Sequence, residues 1–362
     1  MTNASRTLMV MAAGTGGHIM PGLAVANELR SLGWNITWLG TSTGMENKLV
    51  PGNGIALDVI GFSGLRGKGL LHALTGGFRL LVAMGESWRI LSRRRPDVVL
   101  GMGGYVTVPG GLMACARNIP LVIHNADASL LLSNRFLAPL ADRITFGFAS
   151  EASRRYGPTS RVTGNPVRSA IADLPEPGLR YAGRTGPLRL LVVGGSLGAQ
   201  VLNRAVPAAI AKMAAGERPI VIHQTGSSEV EAVRAAYAMD GIAAEVIPFI
   251  DDMAARYAVA DVVLCRAGAI TVAELAAAGV ASILVPLTVS TTSHQRDNAI
   301  YMEESGAAIH LPQPSMTPEA LAQSLRKLTR EQLLSLALAA RELARPEATR
   351  HVATQCAEVV KR

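Results

Sequence analysis

Short, continuously apolar runs alternate with stretches of helical period from one end of the chain to the other. The run Leu8-Met9-Val10-Met11 has no polar face, so it reads as a strand buried on both sides of a sheet. A helical pattern follows through Leu32, and Asn35–Gly40 and Ala56–Phe62 then read as a second and third strand. Asp97–Leu100, Leu121–His124 and Arg143–Phe146 continue the series. After Arg168 it restarts with Leu188–Val193, Pro219–His223, Ala244–Phe249, Asp261–Cys265 and Ala281–Pro286. Between the two series, Leu174–Pro187 is rich in Pro, Gly and Arg and reads as a linker. From Glu331 onward the pattern is almost wholly helical, with a break expected at Pro346. Such alternation predicts an α/β fold of parallel sheets covered by helices.

The two series echo each other. Each runs an apolar strand into a glycine-rich turn that opens a helix: Gly14-Thr15-Gly16-Gly17-His18 in the first, Gly194-Gly195-Ser196-Leu197-Gly198-Ala199 in the second. Glycine permits close backbone approach, and the N–H groups and dipole of the following helix favour an anion, commonly a phosphate. Asp97-Val98-Val99-Leu100 and Asp261-Val262-Val263-Leu264 recur at equivalent places, each before another turn and helix. Two Rossmann-like halves facing one cleft are expected, spanning 1–168 and 169–345, with the last helix, 346–362, completing the first. A chain of 362 residues has room for them, at roughly 150 residues per domain.

Composition narrows the class. Hydrophobic residues make up 49% and aromatics only 4%, which suits Ala-, Leu- and Val-rich parallel sheets. Cys115, Cys265 and Cys356 are far apart and form no CxxC, which argues for buried thiols in a reducing, cytoplasmic setting. No apolar run is long enough to span a membrane. The apolar N-terminus through Val25 contains the first glycine-rich turn, so it reads as strand and helix rather than signal peptide. The net charge is +8, and Arg66, Lys68, Arg79, Arg89, Arg93, Arg94 and Arg95 cluster against a single Glu86. No aromatic interleaving or nucleic-acid motif accompanies them. The same stretch carries Phe78, Leu81, Val82 and Trp88, which fits either an anionic membrane surface or an ordinary amphipathic helix with a solvated basic face.

Several residue patterns carry chemistry. His18 stands where a helix begins, where an imidazole can contact a phosphate or take a proton from a hydroxyl. Arg266–Glu274 follows a strand and enters a helix; Glu274 there reads either as an acceptor for a ribose diol or as a carboxylate steadying the helix dipole. Gly164-Asn165-Pro166-Val167-Arg168 lies at the join of the halves, where Arg168 can reach a phosphate. The amides of Gln295 and Asn298 lie at a helix start and suit sugar hydroxyls or capping. No Ser-His-Asp set, HExxH, Walker A or Asp-x-Asp metal motif is evident, and Asp251-Asp252 reads as a helix start. No metal and no cofactor are expected.

Taken in order, these motifs resemble the undecaprenyl-diphospho-muramoylpentapeptide β-N-acetylglucosaminyltransferases of bacterial cell-wall synthesis. The matching pieces are Gly14–His18 with Pro21–Ala24, Gly64–Gly69, Gly101–Tyr105, Ser133–Arg135, Gly164–Arg168, Gly194–Ala199 with Asn203, Pro248–Met253, Arg266–Glu274, and His294-Gln295 with Asn298. They span nearly the whole chain. The resemblance implies a GT-B fold and an inverting transfer of GlcNAc from UDP-GlcNAc to the muramoyl C4 hydroxyl of lipid I, giving lipid II. It implies donor contacts at Thr15, Gly16 and Gly17, with Arg168 and Ser196 on the diphosphate side. Ile250 would meet the uracil through its backbone, Glu274 the ribose and Gln295 the GlcNAc hydroxyls, with Ala269, Ile270 and Thr271 alongside. His18, Tyr105, Asn125 and Asn134 would lie on the acceptor side, and the basic-apolar stretch would face the cytoplasmic side of the cell membrane as a peripheral anchor.

Two departures from the family pattern stand out. Where the family usually has His-Glu-Gln-Asn, this chain has His124-Asn125-Ala126-Asp127; before His294-Gln295, usually acidic residues give way to Ser290-Thr291-Thr292-Ser293. If the strand through His124 continues extended, Asn125 and Asp127 share a face. Asp127 is then expected to supply the displaced carboxylate and to orient or deprotonate the acceptor hydroxyl, alone or with His18. The competing readings are a relaxed loop, a GT-B relative with another acceptor, a UDP-GlcNAc epimerase, and a non-catalytic UDP-sugar-binding protein.

Overall fold

The computed structural model describes residues 5–62, 70–195, 198–287 and 294–360, without the side chains of 70–75. The chain divides into two compact units, Met1–Val167 with Glu347–Arg362, and Arg168–Pro346.

The first unit is built on a seven-stranded parallel sheet. Its strands are β1 (Thr7–Ala12), β2 (Asn35–Thr41), β3 (Ala56–Ile60), β4 (Val98–Gly103), β5 (Leu121–Asn125), β6 (Arg143–Phe146) and β7 (Ser160–Val162). The order is β3-β2-β1-β4-β5-β6-β7, so the direction of winding reverses between β1 and β4. In open α/β sheets that reversal opens a crevice at the carboxyl ends of the two strands. Helices cover both faces, which is why β4 and β5 are buried along their whole length. Trp38 on β2 is fully buried and donates from Nε1 to the Ala12 carbonyl at 2.9 Å. The helix Gly16–Ser31 packs over that indole at Gly22, where a Cβ would come within 2.8 Å of Trp38 Cη2. The helix Ala348–Glu358 packs on Gly16–Ser31 and buries Val352, Ala353 and Cys356 among Leu23, Val98 and Leu100.

The second unit holds β8 (Arg189–Val193), β9 (Ile220–Gln224), β10 (Ala244–Ile247), β11 (Val262–Cys265), β12 (Ser282–Leu284) and β13 (Ile309–His310). All pairings are parallel, in the order β10-β9-β8-β11-β12-β13, with the reversal between β8 and β11. The two recurring aspartates do the same work in each sheet. Asp97 accepts the N–H of Thr7 at 2.6 Å and donates its own N–H to the Thr7 carbonyl at 2.9 Å. Asp261 does so with Arg189, at 2.9 Å in both directions. Each aspartate fastens the start of one strand to its neighbour across the reversal.

One expectation is corrected, and two strands are added. The arginine-rich stretch 174–187 is not a loose linker. It contains the helix Pro177–Tyr181, and Tyr181 is buried in the core of the second unit. Arg180 donates to the Tyr257 and Ala278 carbonyls, and Arg184 to those of Ala258 and Ala260. These arginines satisfy the last carbonyls of the helices Met253–Val259 and Ala269–Ala278. The edge strands β7 and β13 were not expected; at three and two residues they carry no apolar run to read.

Candidate functional site

In the first unit, the β1–β4 reversal brings two glycine-rich segments together. Gly103 ends β4 and Gly104 follows it, with φ of +115° and +86°. A Cβ on Gly104 would strike the Ala13 backbone, and one on Gly103 would strike the His18 ring. Only glycine lets this segment lie against the Gly14–His18 turn. Thr15 caps the helix Gly16–Ser31 with no side-chain hydrogen bond, and its first turn holds no acidic residue. Thr15 and Gly17 are exposed, Gly16 is partly so, and Tyr105 is 43% exposed just beyond Gly104.

His18 is half-buried, with Nδ1 covered and in no hydrogen bond of good geometry. Burial pushes its pKa below the ordinary 6.5, opposed by the charge of Asp127 and by the Met102 backbone. The imidazole is therefore neutral near pH 7, as a proton acceptor must be. Asp127, half-exposed, lies close enough for its charge to be felt at His18.

The loop after β5 differs from the extended path expected. β5 ends at Asn125, so the two-residue alternation that would have put Asn125 and Asp127 on one face stops there. Asn125 is fully buried; its Nδ2 donates to the carbonyls of Asp127 at 2.8 Å and Ser129 at 3.1 Å, and its Oδ1 accepts the Leu131 N–H at 3.0 Å. Asn134, also fully buried, donates to the His124 carbonyl at 3.0 Å and to Asn125 Oδ1 at 3.2 Å. Both amides are turned inward and their Nδ2 groups hold the loop, while Asn134 Oδ1 is buried with no hydrogen-bond partner. His124 is likewise internal. Its Nε2 lies 2.9 Å from Asn165 Oδ1 and its Nδ1 2.9 Å from Thr145 Oγ1. The Asn165 amide is oriented by Nδ2 donating to the Ala126 carbonyl, so His124 carries its proton on Nε2. Burial lowers its pKa to about 4.

In the second unit the corresponding reversal places the turn after β8 beside the helix that follows β11. The helix Ala269–Ala278 is capped by Gly268 without a side-chain bond and has no acidic residue in its first turn, where Ala269, Ile270 and Thr271 sit. The helix Gln200–Ala211 is equally open at Ala199. Glu274 lies in the second turn, 8% exposed, so it does not serve as a first-turn carboxylate. It is held by Arg168, whose Nε and Nη2 donate to Oε1 at 3.0 and 2.8 Å. Burial pushes the Glu274 carboxyl up, and Arg168 pulls it back only in part. Sequence reasoning gave these two residues separate tasks; the structure joins them. Ile250 is buried beside Phe249, which is 50% exposed. Gln295 Oε1 accepts the Leu287 N–H at 2.9 Å, and Asn298 Nδ2 donates to the Ala267 carbonyl at 3.1 Å. Asp252 caps the helix Met253–Val259 through the Ala255 N–H, as its position suggested.

Gln224 was missed from the sequence. Its Oε1 accepts the Gly195 N–H at 3.1 Å, while Nε2 donates to the carbonyls of Gly195 at 3.0 Å and Pro248 at 2.9 Å. One amide thus ties the glycine-rich turn to the segment carrying Ile250. Ser196, the 63–69 loop with Arg66 and Lys68, and Ser290–Ser293 lie outside the described residues. Among the described residues, no cluster of three or more His, Cys, Asp or Glu side chains is placed to hold a metal ion.

Comparisons with known proteins also divide the chain in two, although the C-terminal match runs into the helix Ala348–Glu358 of the first unit. The glycosyltransferase family 28 N-terminal domain matches residues 8–146, and the glycosyltransferase family 28 C-terminal domain matches 189–354. The chain is 61% identical to the UDP-N-acetylglucosamine–N-acetylmuramyl-(pentapeptide) pyrophosphoryl-undecaprenol N-acetylglucosamine transferase of Methylibium petroleiphilum, over 99% of this chain and 98% of that one. It is 56% identical to the protein of the same name from Herminiimonas arsenicoxydans, over 98% and 99%. The crystal structure of Acinetobacter baumannii MurG matches with a TM-score of 0.81 and 38% identity, covering 98% of this chain and all of that one (100%). A putative UDP-N-acetylglucosamine 2-epimerase from Listeria monocytogenes shares the fold alone, with a TM-score of 0.64 and 16% identity over 98% and 97%. With two parallel-sheet α/β domains of the GT-B fold, the chain belongs to glycosyltransferase family 28, among its UDP-N-acetylglucosamine–N-acetylmuramyl-(pentapeptide) pyrophosphoryl-undecaprenol N-acetylglucosamine transferases.

Proposed function

We infer that this chain moves GlcNAc from UDP-GlcNAc to the muramoyl C4 hydroxyl of lipid I, giving lipid II for peptidoglycan, with inversion at the anomeric carbon. The observation that carries the reading is end-to-end identity of 61% with a curated transferase of that name. The local geometry supports the assignment of roles. His18, neutral and beside the charge of Asp127, takes the proton of the attacking hydroxyl, and Asp127 steadies the imidazolium as it forms. Tyr105 and the loop held by Asn125 and Asn134 border that position. In the second unit, Glu274 takes the ribose hydroxyls, oriented by Arg168, and the Ile250 backbone takes the uracil. Gln295 turns its amide donors to GlcNAc, since its oxygen is occupied by Leu287. Within this unit, negative charge on the leaving UDP is met by Arg168 and by helix N-termini that carry no side-chain cap, at Gln200 and Ala269. Ala269, Ile270 and Thr271 open one of these helices and bring its backbone close to the donor.

The enzyme works as a peripheral protein on the cytoplasmic face of the membrane. No helix among the described residues is long and apolar enough to cross one. The helix Leu70–Arg94 exposes Phe78, Leu81 and Val82 beside Arg79 and Arg89. It packs on Thr107–Ala116, which packs on Leu132–Leu137, where Leu132 and Phe136 are exposed. An apolar patch with basic residues at its edge suits anionic lipid. Arg93 and Arg94, expected in that basic set, instead pair with Asp58 on β3.

Incubation with UDP-GlcNAc, with and without a lipid I analogue, tests the reading. UDP release that requires the analogue supports it. Conversion of UDP-GlcNAc without acceptor points to an epimerase, and donor binding without turnover points to a sugar-nucleotide-binding protein.

A further inference from the structure

The glycine-rich turn after β1 is held from behind by a carboxylate. Glu46, at the start of the helix Glu46–Gly52, is fully buried. Its Oε2 accepts the Gly14 N–H at 3.0 Å. Its Oε1 accepts the N–H of Thr41 at 2.9 Å and the Thr41 hydroxyl at 2.7 Å. The neighbouring Met45 N–H donates to the Gly14 carbonyl at 3.0 Å. Gly14 is therefore gripped on both sides, at a φ of +102° that other residues rarely adopt. The surrounding backbone makes room for this side chain. A Cβ on Gly40 would come within 2.8 Å of Glu46 Cγ, and one on Gly44 would overlap the carboxylate itself.

The second unit grips its own turn differently, and the contrast explains the residue types. At Gly195 one amide side chain faces both a donor and an acceptor, and Gln224 offers one of each. At Gly14 the carbonyl is already taken by Met45, so the side chain meets three donors and no acceptor. Only a carboxylate has acceptors at both ends. A glutamine here would leave its NH2 group facing either Gly14 or Thr41, donor against donor.

We propose that Glu46 is a positioning residue for sugar transfer: it fixes the Gly14 peptide and, through it, the Thr15–His18 edge at which the acceptor hydroxyl is deprotonated. This rests on the reading that the turn meets the substrates, and the variants below separate the two. Glu46→Gln keeps the shape but removes one acceptor. Gly44→Ala keeps the charge but displaces the carboxylate, and it carries the test if Glu46→Gln fails to fold. Each is assayed for kcat per folded molecule, for UDP affinity and for thermal midpoint, beside His18→Ala. Expected is a kcat loss of roughly thirtyfold in both, since a full ångström of misplacement costs on the order of a hundredfold. UDP affinity should fall far less than kcat, and the thermal midpoint should drop by only a few degrees, the cost of one buried donor left without its acceptor. If His18→Ala abolishes transfer while both variants stay within about twofold of parent kcat, the Glu46 role is overturned and the site reading stands. A fall in folded fraction alone, with kcat per folded molecule unchanged, overturns it too. If His18→Ala also transfers like the parent, the reading of the turn itself has failed.

Discussion

Arg168 directs two hydrogen bonds at one oxygen of Glu274, from Nε at 3.0 Å and from Nη2 at 2.8 Å. Both land on Oε1, which leaves Oε2 outside the pair. The guanidinium thus orients a carboxylate that burial would otherwise push toward its neutral form. Glu274→Ala is expected to weaken UDP-GlcNAc binding by about 1.5–3 kcal/mol, the range for a lost charge-assisted hydrogen bond. Calorimetry with unchanged donor affinity would contradict the ribose role. Arg168→Ala removes the group that lowers the Glu274 pKa, so the carboxyl should protonate at higher pH than in the parent. Donor affinity in that variant is then expected to fall away at a higher pH as the solution is acidified.

As the proposed proton acceptor, His18 is expected to give transfer its acid limb. Its pKa lies below 6.5 because burial disfavours the charged ring, so kcat/KM should rise through a midpoint below 6.5 and then level off. The Asp127 charge opposes that shift, and Asp127→Asn should therefore move the limb to still lower pH while reducing turnover. UDP-GlcNAc affinity should be nearly intact. An Asp127→Asn protein that turns over like the parent with an unmoved limb would remove Asp127 from the mechanism.

The parts of this fold that rest on apolar runs were legible, because a strand buried on both faces must be apolar throughout. β1, β4, β8 and β11, the four strands flanking the two reversals, were all read from such runs and positioned both glycine-rich turns. What escaped is polar and long-range. Arg168 and Glu274 are 106 positions apart, and no local pattern joins them. Gln224 and Glu46 are buried polar groups whose surroundings exist only after folding. The stretch 174–187 looked like a linker because Pro and Gly break periodicity, while its arginines act on carbonyls some 75 to 100 positions downstream. Asn125 was placed by strand alternation, but its own hydrogen bonds end the strand.

Membrane attachment should separate two sets of arginines on one helix. Replacing Arg79 and Arg89 by Gln is expected to reduce flotation with anionic vesicles, most strongly at low salt, by about 1 kcal/mol per residue. Phe78→Ser with Leu81→Ser should reduce it at every salt concentration. Arg93→Gln with Arg94→Gln should reduce flotation less, because the two side chains share Asp58, which offsets one of their two charges. Equal flotation of the parent and the Arg79/Arg89 variant would contradict the assignment.

Each unit contains a buried histidine that resists protonation. His124 and His223 are both lowered from 6.5 to about 4 by burial. Unfolded, each binds its proton near 6.5, so stability is fully present above that pH and is lost as pH falls from 6.5 toward 4. For the fully enclosed His124 the loss reaches about 3 kcal/mol at the acid end. Denaturant unfolding at pH 7.5 and pH 5 should show the decline, and a flat profile across that range would contradict it.

The claim on which the rest depends is transfer to the lipid-linked acceptor, and product analysis tests it most directly. UDP-GlcNAc labelled in the sugar is incubated with the enzyme and a lipid I analogue, and the lipid fraction is examined by mass spectrometry and NMR. The account predicts one added GlcNAc per acceptor, joined through a β bond to the muramoyl C4 oxygen, with one UDP released per sugar moved. Label that stays in the nucleotide fraction, or a GlcNAc joined at another position or with the α configuration, would contradict it.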